Sequence, residues 1–166
     1  MYLIDGHNLI GSGLIPGIDL SQEDDEQRLA DYLRGRQPLL KQPITVVFDG
    51  GLPGGQSLEL SGGGVTVIFA AQDRSDADTL IRARVRKHKT PAQVVVVSND
   101  AQLRRDTQAL GAEVLGAASF LERLANPRRR PAPRQPKLQT EPKLPKSEVT
   151  DWLREFGVIP PKEPKP

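Results

Sequence analysis

The chain contains no cysteine, which excludes disulfides and thiolate metal sites and is compatible with a reducing, cytoplasmic compartment. Histidine is scarce too: there are two, His7 and His88. His7 has no histidine partner at metal-ligand spacing and is read as a surface or substrate-edge residue. His88 lies in a basic run and is read as solvated. No apolar run approaches the roughly 20 residues that a membrane-spanning helix needs. The opening MYLIDGHN meets Asp5 where a signal peptide would place its apolar region. The expectation is a soluble, unexported protein.

Apolar residues make up 37% of the chain, a low share, but the deficit is uneven. Ten of the 15 prolines lie beyond Asn126, where ten Lys/Arg face five Asp/Glu, about +5. Before that point 13 basic residues face 16 acidic ones, about −3. An acidic domain joined to a basic tail suits a polyanionic partner. The length holds one domain with a proper core, residues 1–126, and not two. Residues 127–146, rich in Pro, Arg and Lys, are too polar to bury a core and are expected to be a disordered linker. Residues 147–158 are expected to form a short amphipathic helix, because Val149, Trp152, Leu153 and Phe156 recur at i, i+3, i+4 and i+7. That helix is too short to fold alone. It is left with two uses: docking on the domain, or engaging a partner, another protein or the ribosome, by helix-in-groove recognition. Residues 159–166 are a disordered Pro/Lys tail.

Within the domain, short apolar runs at residues 2–4, 44–48, 65–69, 94–97 and 113–115 alternate with helical patterns. Such alternation predicts a mainly parallel sheet of about five strands covered by helices on both faces, a three-layer α/β/α arrangement. The run VTVIF at 65–69 is open to a second reading, a short edge strand. Helices are expected from Ser21 to about residue 36, with Ser21 as N-cap and Glu23, Asp24, Asp25 and Glu26 at the positive end. A second is expected from Ser75 to about residue 89, opening on a Ser-x-x-Asp variant of the capping box. Two more span residues 101–110, closed by Gly111, and 117–124. The glycine-rich segments 50–55 and 62–64 are read as flexible turns flanking a possible short strand or hairpin.

The chemistry lies in where the aspartates fall. Asp5 follows the first run, Asp49 the second and Asp100 the fourth, while Asp76 and Asp78 open the helix that enters that fourth strand. Strand C-termini of a parallel sheet share one edge, where ligands bind, and helices entering strands begin on the same edge. All five carboxylates can therefore converge. Crowded carboxylates repel unless a cation is present, and hard divalent ions such as Mg²⁺ or Mn²⁺ take oxygen ligands. A metal so held acidifies water and stabilises charge on a phosphate. Each aspartate also has a plainer use, as a helix cap or a turn residue.

The motifs LIDGHNLI, FDG at Phe48–Gly50, SDADTLI at Ser75–Ile81 and VSND at Val97–Asp100 together resemble, in order and spacing, those of NYN domains. Within that superfamily the chain resembles the YacP-like branch over about residues 1–125. The resemblance implies a PIN-like Rossmannoid fold and metal-dependent cleavage of RNA, endonucleolytic in kind. It implies Asp5 as first metal ligand, with Asn8 orienting that ligand, a water or a phosphate. It implies Asp78 as second acid assisted by Asp76, and Asp100 as third, with Ser98 and Asn99 beside it as substrate contacts. Asp49 would belong to an outer shell or hold its loop. Relatives often carry another acid one helical turn beyond the third. Here that turn offers Leu103 and Arg104, with Asp106 out of phase, which leaves the metal count open.

Arg82, Arg86 and Lys89 share a helix face and are read as phosphate contacts leading to the acidic pocket, or as a plain solvated face. Arg128, Arg129 and Arg130 open a stretch read as a basic arm for RNA, or as a plain soluble linker. A dinucleotide site is disfavoured, because the first strand runs into DGHN instead of a G-x-G-x-x-G turn and no Walker motif is present. A phosphohydrolase with Asp5 as nucleophile would want a second acid two residues on, and that position is His7. The competing reading of a different class is an RNA-binding or ribosome-associated adaptor that keeps the fold without catalysis.

Overall fold

The computed structural model describes residues 1–51, 54–71 and 76–126. The expected linker, the terminal helix with Trp152 and Phe156, the basic residues Arg128–Arg130 and the proposed cap Ser75 lie outside the described residues. Among the described residues there are six strands and five α-helices, in the order β1 Tyr2–Asp5, α1 Gly6–Gly11, α2 Asp25–Leu40, β2 Ile44–Gly51, β3 Gly55–Gly62, β4 Val65–Ala71, α3 Ala77–Lys87, β5 Val95–Val97, α4 Ala101–Ala109, β6 Glu113–Leu115 and α5 Ala117–Ala125.

The strands form one sheet in the order β3-β4-β2-β1-β5-β6. Every pairing is parallel except β3 with β4. Alternation along the strands sorts side chains into two cores. Tyr2, Ile4, Val46, Phe48, Val65, Val67, Val95 and Val97 face Leu29, Leu33, Phe120 and Leu124 of α2 and α5. Leu3, Val47 and Val96 face Ile81, Val85 and Leu103 of α3 and α4. The sheet is thus covered on both faces, as its apolar runs predict. Asp5 shares strand parity with Leu3, and Asp49 with Val47. Their side chains therefore belong to the face that carries α3 and α4, where the remaining aspartates begin.

The expected five-stranded sheet has a sixth member. VTVIF is not an edge strand: β4 lies between β2 and β3, and β3 forms the edge. Strand β3 runs through Gln-Ser-Leu-Glu-Leu-Ser, with Leu58 82% exposed, and gains little from burial. Its ladder with β4 shifts register between Ser57 and Gly62, an irregularity of the kind that shields exposed edges. The β3–β4 turn uses Gly63 and Gly64 at φ 56° and 79°, the left-handed pair of a tight hairpin. Side chains of α2 close over it: a Cβ on Gly64 would stand 2.6 Å from Gln37 Cδ, and Arg34 donates to the Leu60 carbonyl at 2.9 Å.

Helix α2 begins four residues after the expected Ser21 cap. The Ser21 N–H is held by Asp19 at 2.9 Å in a local turn. Asp24, at the N-cap, gives its carboxylate to Arg28 at 2.8 Å instead of to the backbone. Short helix α1, absent from the sequence reading, packs beside α2. Its first residue, Gly6, lies against Phe48, whose ring a Cβ would overlap. Gly6→Ala is expected to destabilise the domain by about 1–3 kcal/mol through overpacking, read as a lower urea midpoint with an unchanged slope.

Candidate active site

At the C-terminal end of β1, Asp5 is 7% exposed and caps α1. Its Oδ1 accepts from the Asn8 amide at 3.1 Å, and its Oδ2 accepts from the Ser98 hydroxyl at 3.2 Å. The sequence places an aspartate where the strand must hand over to a helix, so one carboxylate serves as cap and as the buried end of the strand. Burial pushes its pKa up from 3.8 to about 6. The two hydrogen bonds oppose that rise, and the charges of Asp78 and Asp49 add to it.

Ser98, 1% exposed after β5, joins two of the candidate acids. While donating to Asp5 it accepts from the Asp100 amide at 3.0 Å. Asp100 is the N-cap of α4, its Oδ1 accepting from Leu103 N at 2.6 Å. Asn8 accepts from the Asn99 amide at 2.7 Å, and Asn99 Oδ1 accepts from Ala117 N at 3.0 Å, standing in for the side chain that Gly116 cannot offer at the start of α5. Asn8, Ser98 and Asn99 are therefore committed to fixing the β1 and β5 ends relative to each other.

Two aspartates hold the start of α3. Asp76 accepts from Thr79 N and Asp49 accepts from Ala77 N, both at 2.6 Å. The cap of α3 is therefore Asp76, not Ser75. The Thr79 bonds draw the Asp76 pKa down. Asp78 differs from both: among the described residues it accepts no hydrogen bond, and its pKa is raised by burial first and then by the charge of Asp100, with Arg82 opposing. Asp76 and Asp49 are largely satisfied by backbone, whereas Asp78 is half-buried with no donor among the described residues.

The aspartates are thus within electrostatic reach of one another around one sheet edge. Among the described residues no three of their carboxylates approach within 4.8 Å, however; the group that does is His7, Asp25 and Glu26. The group is not visible in the sequence, where His7 has no partner at ligand spacing and Asp25 and Glu26 look like helix-dipole acids. The three meet only because α1 packs on the start of α2.

The basic face of α3 divides. Arg82 is paired with Asp106 of α4 at 3.0 Å, and Asp106 also accepts from Gln102 at 2.8 Å. The acid that is out of phase with the turn after Asp100 therefore ties α4 to α3. Arg86 and Lys89 are exposed, with Lys89 beyond the end of the helix. No helix among the described residues is long and apolar enough to cross a membrane.

A search of curated proteins gives no match. Among solved structures, Rae1 (YacP) from Bacillus subtilis is similar at a TM-score of 0.59 and 22% identity, covering 95% of this chain and 84% of that one. A single-site variant of that protein gives 0.57 and 17%, covering 95% and 83%. Identities this low speak for the fold, which both structures share with the described sheet and helices. The model of the YacP-like NYN domain matches residues 2–155, nearly the whole chain, and with the α/β architecture and the order of the aspartate motifs it places the protein in the YacP-like NYN family, whose domain is ribonuclease-like.

Proposed function

We propose that the protein is a metal-dependent ribonuclease that hydrolyses RNA phosphodiester bonds endonucleolytically, with residues 1–126 as the catalytic domain. The observation that carries this reading is Asp5, a 7% exposed carboxylate at the sheet edge. Its neighbour Asp78 is a second carboxylate with no donor among the described residues, and burial raises the pKa of both. Such a pair is disfavoured in a metal-free protein and favoured once a cation neutralises it. The donor set is all oxygen, which fits Mg²⁺ or Mn²⁺.

Asp5, Asp78 and Asp100 would hold the ion, which when bound would acidify water and neutralise charge on the phosphate. The chain's own residues do the positioning. Ser98 locks Asp5 to the loop of Asp100, and Asn8 locks the first turn of α1 to Asn99. Asp76 and Asp49 fix the start of α3 and so the place of Asp78. Arg86 with Lys89, and the basic residues Arg128–Arg130 of the segment beyond the domain, would gather the RNA backbone by charge. Arg82 acts through Asp106 and Asp78 more than through substrate. The hydrophobic positions Val149, Trp152, Leu153 and Phe156 are reserved in this reading for a protein or ribosomal partner.

The test is cleavage of a labelled, mixed-sequence RNA panel in Mn²⁺, Mg²⁺ or EDTA by wild type, Asp5→Asn and Asp100→Asn. Internal cuts that need metal and vanish in both variants are expected. RNA binding without cleavage, equal in all three proteins, would replace the nuclease with a non-catalytic RNA-binding adaptor.

A further inference from the structure

The geometry points to a second cation site, apart from the aspartates of the sheet edge, at His7, Asp25 and Glu26, suited to a divalent transition ion of the zinc type. The inference stands independently of the nuclease reading. One donor atom from each residue lies within 4.8 Å of the other two. His7 comes from α1, and the two acids from the first turn of α2. The His7 imidazole is held against the Phe48 ring at 5.1 Å between centroids, which orients it, and its Nε2 stands 3.6 Å from Glu26 Oε1.

Acids in a first turn are ordinary, since they complement the helix dipole, but the dipole explains exposed carboxylates. Asp25 is 5% exposed, and among the described residues no donor outside the cluster reaches its carboxylate. What it meets is the Glu26 carboxylate and backbone and the charge of His7. Burial, and then Glu26, raise its pKa. A buried acid set against another acid, with an oriented imidazole beside them, is a donor set that a cation completes.

Imidazole selects the kind of ion. Two carboxylates alone would serve Mg²⁺ or Ca²⁺; a nitrogen ligand shifts preference toward Zn²⁺ and its neighbours. Three protein ligands with one position left open is an arrangement zinc accepts. His7 and Glu26 have side chains 31% and 28% exposed, which leaves a way in from solvent. An ion there would tie α1 to α2 and so steady the helix that Asp5 caps.

The experiment is Zn²⁺ binding to the full chain by calorimetry with dialysis stoichiometry, together with the Zn²⁺-induced rise in melting temperature. Wild type, His7→Gln, Glu26→Gln, His88→Gln and the double variant Asp5→Asn with Asp78→Asn are compared. A tight Zn²⁺ site is expected in wild type, in His88→Gln and in the double variant. His7→Gln and Glu26→Gln should each weaken it by at least about tenfold, the scale on which even supporting groups of a metal site act. If His7→Gln fails to fold, the half-exposed Glu26→Gln carries the comparison. Binding absent from wild type, unchanged in Glu26→Gln, or lost in the double variant alone would overturn the site.

Discussion

Replacing Asp5 with asparagine is expected to lower metal-dependent RNA cleavage by on the order of a thousandfold, while making the metal-free protein more stable at neutral pH. The first effect follows from removing a charged ligand whose cation stabilises the reacting phosphate, a contribution of several kcal/mol. The second follows from burial. Asp5 has a folded-state pKa of about 6 against 3.8 when exposed. A raised carboxylate stabilises the fold in its protonated form. That contribution is fully present below pH 3.8 and is lost as pH rises through about 6. By linkage, the loss approaches about 3 kcal/mol at neutral pH. Asparagine keeps an acceptor for the Asn8 amide and never ionises. Its amide nitrogen can donate to Ser98, whose hydroxyl oxygen has lone pairs for two donors. Urea unfolding in EDTA at several pH values should therefore show the variant gaining on wild type between pH 4 and pH 7. Added Mn²⁺ should narrow the gap by stabilising only wild type. A stability difference that does not change with pH would mean that Asp5 is not strained by its burial, and would remove the main electrostatic support for a cation.

Much of this arrangement was legible beforehand, for identifiable reasons. The strands at 44–48 and 94–97 are nearly continuous β-branched runs and that at 2–4 is wholly apolar, as burial on both faces of a parallel sheet requires. The aspartates after those runs are short polar residues at points where a strand must stop, so their position on one edge follows from parallel topology alone. Strand β3 shows in the sequence only as a possibility because Gln56, Ser57, Leu58 and Glu59 carry no alternation; an edge strand with one solvated side is held by its ladder and by Arg34, not by its pattern. Helix α1 escaped because six residues span less than two turns, too few for a period to show. With α1 unseen, His7 had no partners, since Asp25 and Glu26 reach it through helix packing and not through spacing along the chain. The start of α2 lies beyond Ser21, a good cap by type, because Asp19 takes the Ser21 amide for a turn. Motif order identified Asp78 and Asp76 together. Only the hydrogen bonds separate them, one carboxylate satisfied by Thr79 and the other without a donor among the described residues.

Ser98→Ala carries the other large expected effect, because one hydroxyl serves two of the candidate acids. Its removal deletes the donor to Asp5 Oδ2 and the acceptor for the Asp100 amide. The first loss takes away a bond that holds the Asp5 pKa down, so that pKa should climb further and protons should compete longer with the cation as pH rises. The acid limb of the cleavage profile is then expected to move to higher pH, and the activity lost at pH 6 should exceed that lost at pH 8. The second loss frees the loop before α4 and should blur the position of Asp100. Together these should weaken Mn²⁺ affinity and cleavage by about 10- to 100-fold, the range typical of groups that orient metal ligands. They should also reduce stability by about 1–3 kcal/mol, because polar groups around a 1% exposed hydroxyl lose their partners. Excess Mn²⁺ should recover most of the cleavage, since the charged ligands remain. A uniform drop at every pH with unchanged Mn²⁺ affinity would instead make Ser98 a packing residue, and the link between β1 and β5 would have to be carried by Asn8 and Asn99 alone.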